Sequence, residues 1–177
     1  IRDAAASIVA IIQEVVGPGQ VQMFSSLAPG PDRWVAAEAV AAGAELHVIL
    51  PLPRDVCARD DIASPGDVAA AEAEFLALAG LAQSIVEPPH GATPDGDASE
   101  ADATSAFVAA GRATVERADL LIAVWDGRPA RGPGGTGQAV EQALAAGVPI
   151  VWVPWSEPAA WRVIEADMVR PDTRAGD

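Results

Sequence analysis

The chain contains no lysine: its eleven basic residues are all arginine, set against twenty-five aspartates and glutamates. A formal charge of −14 repels nucleic acid and anionic membranes, so any bound anion must be held at a locally positive site. The Ala and Arg richness also follows from genomic base composition alone. Cys57 is the only cysteine, which excludes an intrachain disulfide and any cysteine-based zinc cluster. His47 and His90 have no cysteine or carboxylate neighbours at ligand spacing, so neither argues for a metal, and no cofactor is expected. No apolar run approaches the ~20 residues of a membrane span and none reads as a secretory signal, which points to the cytoplasm.

What is present is apolar material. Half of the 177 residues are hydrophobic, enough for one domain with a proper core, expected over 1–169 with a tail or linker at 170–177. Ile8, Ile11, Ile12, Val15 and Val16 follow helical spacing up to the stop at Gly17-Pro18-Gly19. Short apolar runs at 21–24, 45–50, 83–86, 119–125 and 150–154 read as strands. Between and after them the pattern predicts helices, the first from Asp32 as its cap to Gly43, the others over 67–82, 104–117, 137–146 and, amphipathic, 158–169. Residues 87–105 hold almost nothing apolar and read as a disordered insertion or a lid. Leu120-Leu121-Ile122-Ala123-Val124 is apolar without alternation, as in a strand buried on both faces. The expected fold is therefore α/β: a Rossmann-like three-layer α/β/α sandwich with a mainly parallel sheet. Such a fold opens with a strand, which here would lie before Ile1.

The strongest chemical signal runs from Trp125 and Asp126 through Gly134, Gly135, Thr136 and Gly137, between a strand and a helix. Open α/β sheets bind ligands at that edge. Glycines let the backbone approach an anion, and the helix start offers unpaired N–H groups. Thr136 adds a hydroxyl, and Arg128 and Arg131 could balance phosphate charge. The bland alternative is a flexible turn followed by an ordinary helix cap. A second loop, Ser25-Ser26-Leu27-Ala28-Pro29-Gly30-Pro31-Asp32-Arg33, opens onto the same edge, and Ser26 suits a phosphate or ribose oxygen. Arg33 either reaches the ligand or pairs with Asp32 or Glu38. Arg54 follows a third strand and either meets a phosphate or base or is solvated. Trp34, Trp152, Trp155 and Trp161 read as core or rim packing.

The two loops together resemble the SLOG superfamily, which unites SMF/DprA-type and LOG-type Rossmann-like domains. The segment from Ser26 to Arg33 is similar to its "G-S-L-A-x-G-A-D-R" element, with Ser25 in the usual glycine place and Pro31 replacing alanine. The run from Ala118 to Gly137, with Gly134-Gly135-Thr136, is similar to its second signature, and Pro51-Leu52-Pro53 to a shorter third. The resemblance covers residues 20–155. It implies binding of a nucleotide or nucleotide derivative, often as the sensor half of a bacterial defence or signalling protein. Ser26, Gly30, Gly134, Gly135 and Thr136 would then line the phosphate and ribose site. A homo-oligomer, and an effector domain fused or separate, are expected alongside that ligand.

The rival reading is catalysis. Pro133-Gly134-Gly135-Thr136-Gly137-Gln138-Ala139-Val140-Glu141 resembles the "P-G-G-x-G-T-x-x-E" pattern of LOG-type phosphoribohydrolases, which cleave the N-glycosidic bond of nucleoside monophosphates. Glu141 falls on their carboxylate, whereas Gln138 replaces their threonine and their upstream Arg-Lys pair has no counterpart. Arg112 lies in the right helix but closer to the next strand. Deoxyribosyltransferase-like enzymes fit worse, because Ala139 stands where they carry a carboxylate. The third reading is an oligomerising module that binds nothing. Sensing is ranked above hydrolysis, since half of the catalytic constellation is missing.

Overall fold

The computed structural model describes residues 1–17, 19–59, 68–87, 100–130 and 132–165. The chain is an α/β protein of Rossmann-like type whose described strands form two mainly parallel, three-stranded half-sheets. Strands β1 (Gln22–Ser25), β2 (Glu45–Ile49) and β3 (Ser84–Val86) pair in parallel in that spatial order, Met23 opposite Leu46 and Val48 opposite Ile85. Strands β4 (Leu121–Trp125) and β5 (Ile150–Pro154) are parallel, Ala123 opposite Trp152. The edge strand β6 (Arg162–Ile164) runs antiparallel to β5, Val163 opposite Val151.

The helices are α1 (Arg2–Val16), α2 (Pro31–Ala41), α3 (Arg54–Ala58), α4 (Val68–Leu81), α5 (Glu100–Val115) and α6 (Thr136–Ala146). Side chains alternate across a strand, and the packing follows that period. Ile122, Val124, Val151 and Val153 meet Ala4 and Ile8 of α1 on one face. Leu121, Ala123 and Ile150 meet Val115 of α5 and Val140 and Ala143 of α6 on the other. On the first half-sheet Leu46 and Val48 pack against Ala36 of α2 and Phe75 and Leu78 of α4. Val9 of α1 meets Ala39 of α2, Val21 and Met23, so α1, α2 and α4 share one face while α6 and the last turn of α5 cover the other. The chain therefore reverses its winding between β1 and β4, the topological switch at which open α/β sheets form a crevice.

Three expectations are corrected. Helix α2 is capped by Gly30, not Asp32: Trp34 N–H bonds to the Gly30 carbonyl at 3.1 Å, and Pro31 takes the first helical position. Proline suits that place because its N–H would be orphaned there anyway. Where an amphipathic helix is expected at 158–169, the described residues form a 3-10 turn (Pro158–Ala160) followed by β6, and 166–169 lie outside the described residues. Val163 and Ile164 are β-branched, and Arg162 stacks on Trp152 at 4.0 Å, which fixes the segment as an edge strand. The helix expected at 104–117 begins earlier, at Glu100. The remainder of the polar stretch, 88–99, and the tail at 170–177 lie outside the described residues.

Candidate functional site

The loop after β1 is built around two side chains. The Leu27 N–H donates to Ser25 Oγ at 3.0 Å, a tight turn that holds buried Leu27 at a left-handed φ of 55°. Arg33, only 1% exposed, then fastens the loop: Nε donates to the Leu27 carbonyl and Nη1 to the Ala71 carbonyl of α4, each at 2.8 Å. Its guanidinium lies 3.8 Å from Glu74 and over the Phe75 ring. The structure thus places Arg33 inside the body rather than at a ligand, because position 33 falls on the inner face of α2 with Ala36. Ser26 Oγ donates to Asp32 Oδ2 at 3.2 Å. Burial pushes the Asp32 carboxyl above the ordinary 3.8, against the lowering effect of the Ser26 hydroxyl, the Ala28 N–H and Arg33.

The loop after β4 is locked where it leaves the strand. The Trp125 carbonyl accepts Trp152 Nε1–H at 3.0 Å and the Trp155 N–H at 3.3 Å. Asp126 Oδ1 accepts the Arg128 N–H at 3.1 Å, and the Arg128 guanidinium stands 4.0 Å from Oδ2, so its charge is already shared. Arg131 lies outside the described residues.

The glycines of this loop divide by role. Gly134 has φ 85°, donates its N–H to Gln138 Oε1 at 2.6 Å, and leaves only 2.7 Å between an added Cβ and Phe107 Cβ. An added Cβ at Gly137 would stand 2.8 Å from Ala130 Cα. Both are required by the protein's own packing. Gly135, extended at φ −92°, faces open space. The first N–H groups of a helix have no intrahelical acceptor, so Thr136 and Gly137 present theirs at the amino end of α6. The Thr136 hydroxyl has no hydrogen-bond partner among the described residues, and the residue is exposed.

Two clefts meet at this edge. One, about 660 Å³, is lined by Trp125, Asp126, Arg128, Pro133, Thr136 and Trp155. The other, about 720 Å³, lies between the half-sheets and is lined by Ser25, Ser26, Leu27, Asp32, Phe107 and Gln142 among others. Gly135 and Thr136 line both. The structure therefore brings Ser25, Ser26 and Leu27 to the same edge as Trp125, Asp126, Gly134, Gly135, Thr136 and Gly137. Gly30 caps α2 beside them, with open space on its Cβ side. Arg54 lines neither cleft; its N–H donates to Glu87 Oε2, and Arg59, paired with Asp55 at 2.5 Å, stands at the wall instead.

The two residues of the hydrolase reading are not brought together. Glu141 is exposed and lines neither cleft, and Arg112 is exposed and bonded to Glu116 at 2.6 Å. The hydrolase pattern puts Glu141 at the carboxylate position, four residues after Gly137, but Gly137 turns toward Ala130. The face that lines the cleft carries Gln138, Ala139 and Gln142, which spacing from Gly135 would have found. Asp32, read in sequence as a helix cap or a partner of Arg33, is the carboxylate that lines the cleft between the half-sheets. Among the described residues no three His, Cys, Asp or Glu side chains cluster to hold a metal, and no helix is long and apolar enough to cross a membrane. Comparison with family models, with curated proteins and with solved structures finds no match, so the loops themselves carry the functional argument.

Proposed function

We propose that this chain binds a phosphate-bearing, nucleotide-like small molecule at the edge formed by residues 25–32 and 126–137, and that it acts as a sensor in the manner of SLOG-like domains. One observation carries the reading: Gly135 and Thr136, at the amino end of α6, are open to both clefts at the topological switch. Unspent N–H groups and the partial positive charge of a helix start favour an anion there. Ser26 and Asp32 on the facing loop, with Gln142 on α6, offer partners for ribose hydroxyls and a base. Hydrolysis would need a general acid or base oriented by a basic partner, and Glu141 and Arg112 do not supply that pair.

The test combines mass spectrometry of small molecules extracted from purified protein with calorimetry against AMP. A phosphorylated compound should be recovered. Gly135→Val, whose extended backbone accepts a branched residue, should keep the fold and weaken AMP binding about tenfold, the equivalent of roughly 1.4 kcal/mol. Chromatography of AMP incubated with the protein should show no free adenine. Unchanged affinity in Gly135→Val would overturn the site, and released adenine would overturn the sensor reading.

A further inference from the structure

Four of the five tryptophans are occupied by the protein itself. Trp34 lies beneath the Arg2 guanidinium, and the Trp125 and Trp152 rings meet with centroids 5.6 Å apart. Arg162 covers Trp152, and Trp161 packs with Ala4, Ile8 and Val153. Trp155 differs. It is 54% exposed, and among the described residues its side chain has no hydrogen-bond or ring partner. A scattered apolar side chain on a surface needs no explanation, but this one lines a cleft.

Its backbone is fixed where its ring is not. The Trp155 N–H donates to the Trp125 carbonyl at 3.3 Å, and the Glu157 N–H to the Pro154 carbonyl at 3.3 Å. These bonds close the turn after β5 and tie it to the end of β4. Trp155 thus enters the wall of the cleft of about 660 Å³ from β5, while Pro129, Pro133 and Thr136 enter from the glycine-rich loop. Asp126 and Arg128 are the charged residues lining this cleft among those described, and they offset each other. Prolines, a tryptophan and a paired charge suit a flat, uncharged ring rather than a further phosphate.

Small-molecule pockets commonly run to about 300–1,000 Å³, so each of the two clefts alone has room for a nucleoside. Gly135 and Thr136 line both, which puts the proposed phosphate at their junction. Ser26, Asp32 and Gln142 serve a base and a ribose on one side of it. A mononucleotide reaches into one arm only.

We propose that the Trp155 cleft is a second ring-binding subsite, and that the ligand is a dinucleotide whose phosphate bridge sits at Gly135 and Thr136. The inference rests on the phosphate site proposed above and deepens it by naming the second half of the ligand. One base lies toward Ser26 and Asp32, and the other stacks on the Trp155 indole. Tryptophan offers a large face on only two side-chain torsions, so little freedom is lost on stacking. Every base has a π-face, so Trp155 selects for the presence of a second ring and not for its identity.

Calorimetry with AMP, ADP and diadenosine diphosphate tests it, ADP being the control for a second phosphate without a second ring. Diadenosine diphosphate should bind about tenfold more tightly than ADP. Trp155→Ala should remove that gain, and Trp155→Phe, which keeps an aromatic face, should retain most of it. Diadenosine diphosphate should also quench tryptophan fluorescence more in the parent than in Trp155→Phe. Both variants should keep the parent's circular dichroism, because the Trp155 ring holds nothing of the protein's own among the described residues. The inference is overturned, with the phosphate site left standing, if AMP and ADP bind but diadenosine diphosphate gains nothing over ADP. It is overturned equally if Trp155→Ala weakens AMP as much as diadenosine diphosphate, which would put a single base on Trp155. If none of the three binds, the phosphate site itself fails and the second subsite fails with it.

Discussion

Asp32 turns a carboxylate toward the cleft with the Ser26 hydroxyl and the Ala28 N–H as its donors, and burial outweighs what they return. Because its pKa is raised, the folded chain keeps the proton at pH values where the unfolded chain, ionising near 3.8, has lost it. The cost of the ionised form is therefore present at neutral pH and is lifted as the pH falls through the raised value. Asp32→Asn should be more stable relative to the parent at pH 7 than at pH 4, a gap that urea midpoints across that range would follow. A gap that widens on acidification would mean the carboxylate is held by partners, not penalised by burial. The same scale separates the glycines. Gly137→Ala would drive a methyl group into the Ala130 backbone and should cost about 1–3 kcal/mol of stability in denaturant titration. Gly135→Val would meet nothing of the protein's own. Sequence could present these glycines as one cradle, but it could not divide them, because that depends on Ala130 and Phe107 approaching from elsewhere in the chain.

The elements were legible wherever one period dominated. Apolar runs marked β2, β4 and β5, and helical spacing marked α1, although of Ile8, Ile11, Ile12, Val15 and Val16 only Ile8 and Ile12 turn inward, Ile11, Val15 and Val16 being exposed while Val9 packs inside. The C-terminal segment was misread because its amphipathic pattern fits a helix in isolation, whereas the open edge of β5 and the Trp152 ring favour an extended Arg162. Helix α3 was hidden by its five-residue length, too short for any stripe. The α6 register shows the limit of motif spacing: Glu141 lies one step off the face that turns Gln138 and Gln142 toward the cleft.

Across the whole molecule the charge is strongly negative, and three described arginines near the candidate site already have partners. Arg128 shares Asp126, Arg59 shares Asp55, and Arg33 is buried against backbone carbonyls and Glu74. Under the proposed function, recognition of an anion then falls to N–H groups and the α6 dipole rather than to these three arginines. Calorimetry of AMP binding between low and near-physiological salt should show a change smaller than about threefold, since screening over about 8–10 Å acts mainly on exposed charges. A loss of tenfold or more would assign the phosphate to arginine side chains instead.

Arg33 also decides how the first loop can respond. Bolted to α4 through Ala71 and to its own turn through Leu27, the loop is preformed before any ligand arrives. A molecule entering there encounters a fixed jaw and loses little freedom to ordering on that side. If the proposed sensing holds, any response to the occupant would have to pass through the opposite, glycine-rich loop, which among the described residues has no buried arginine to hold it still.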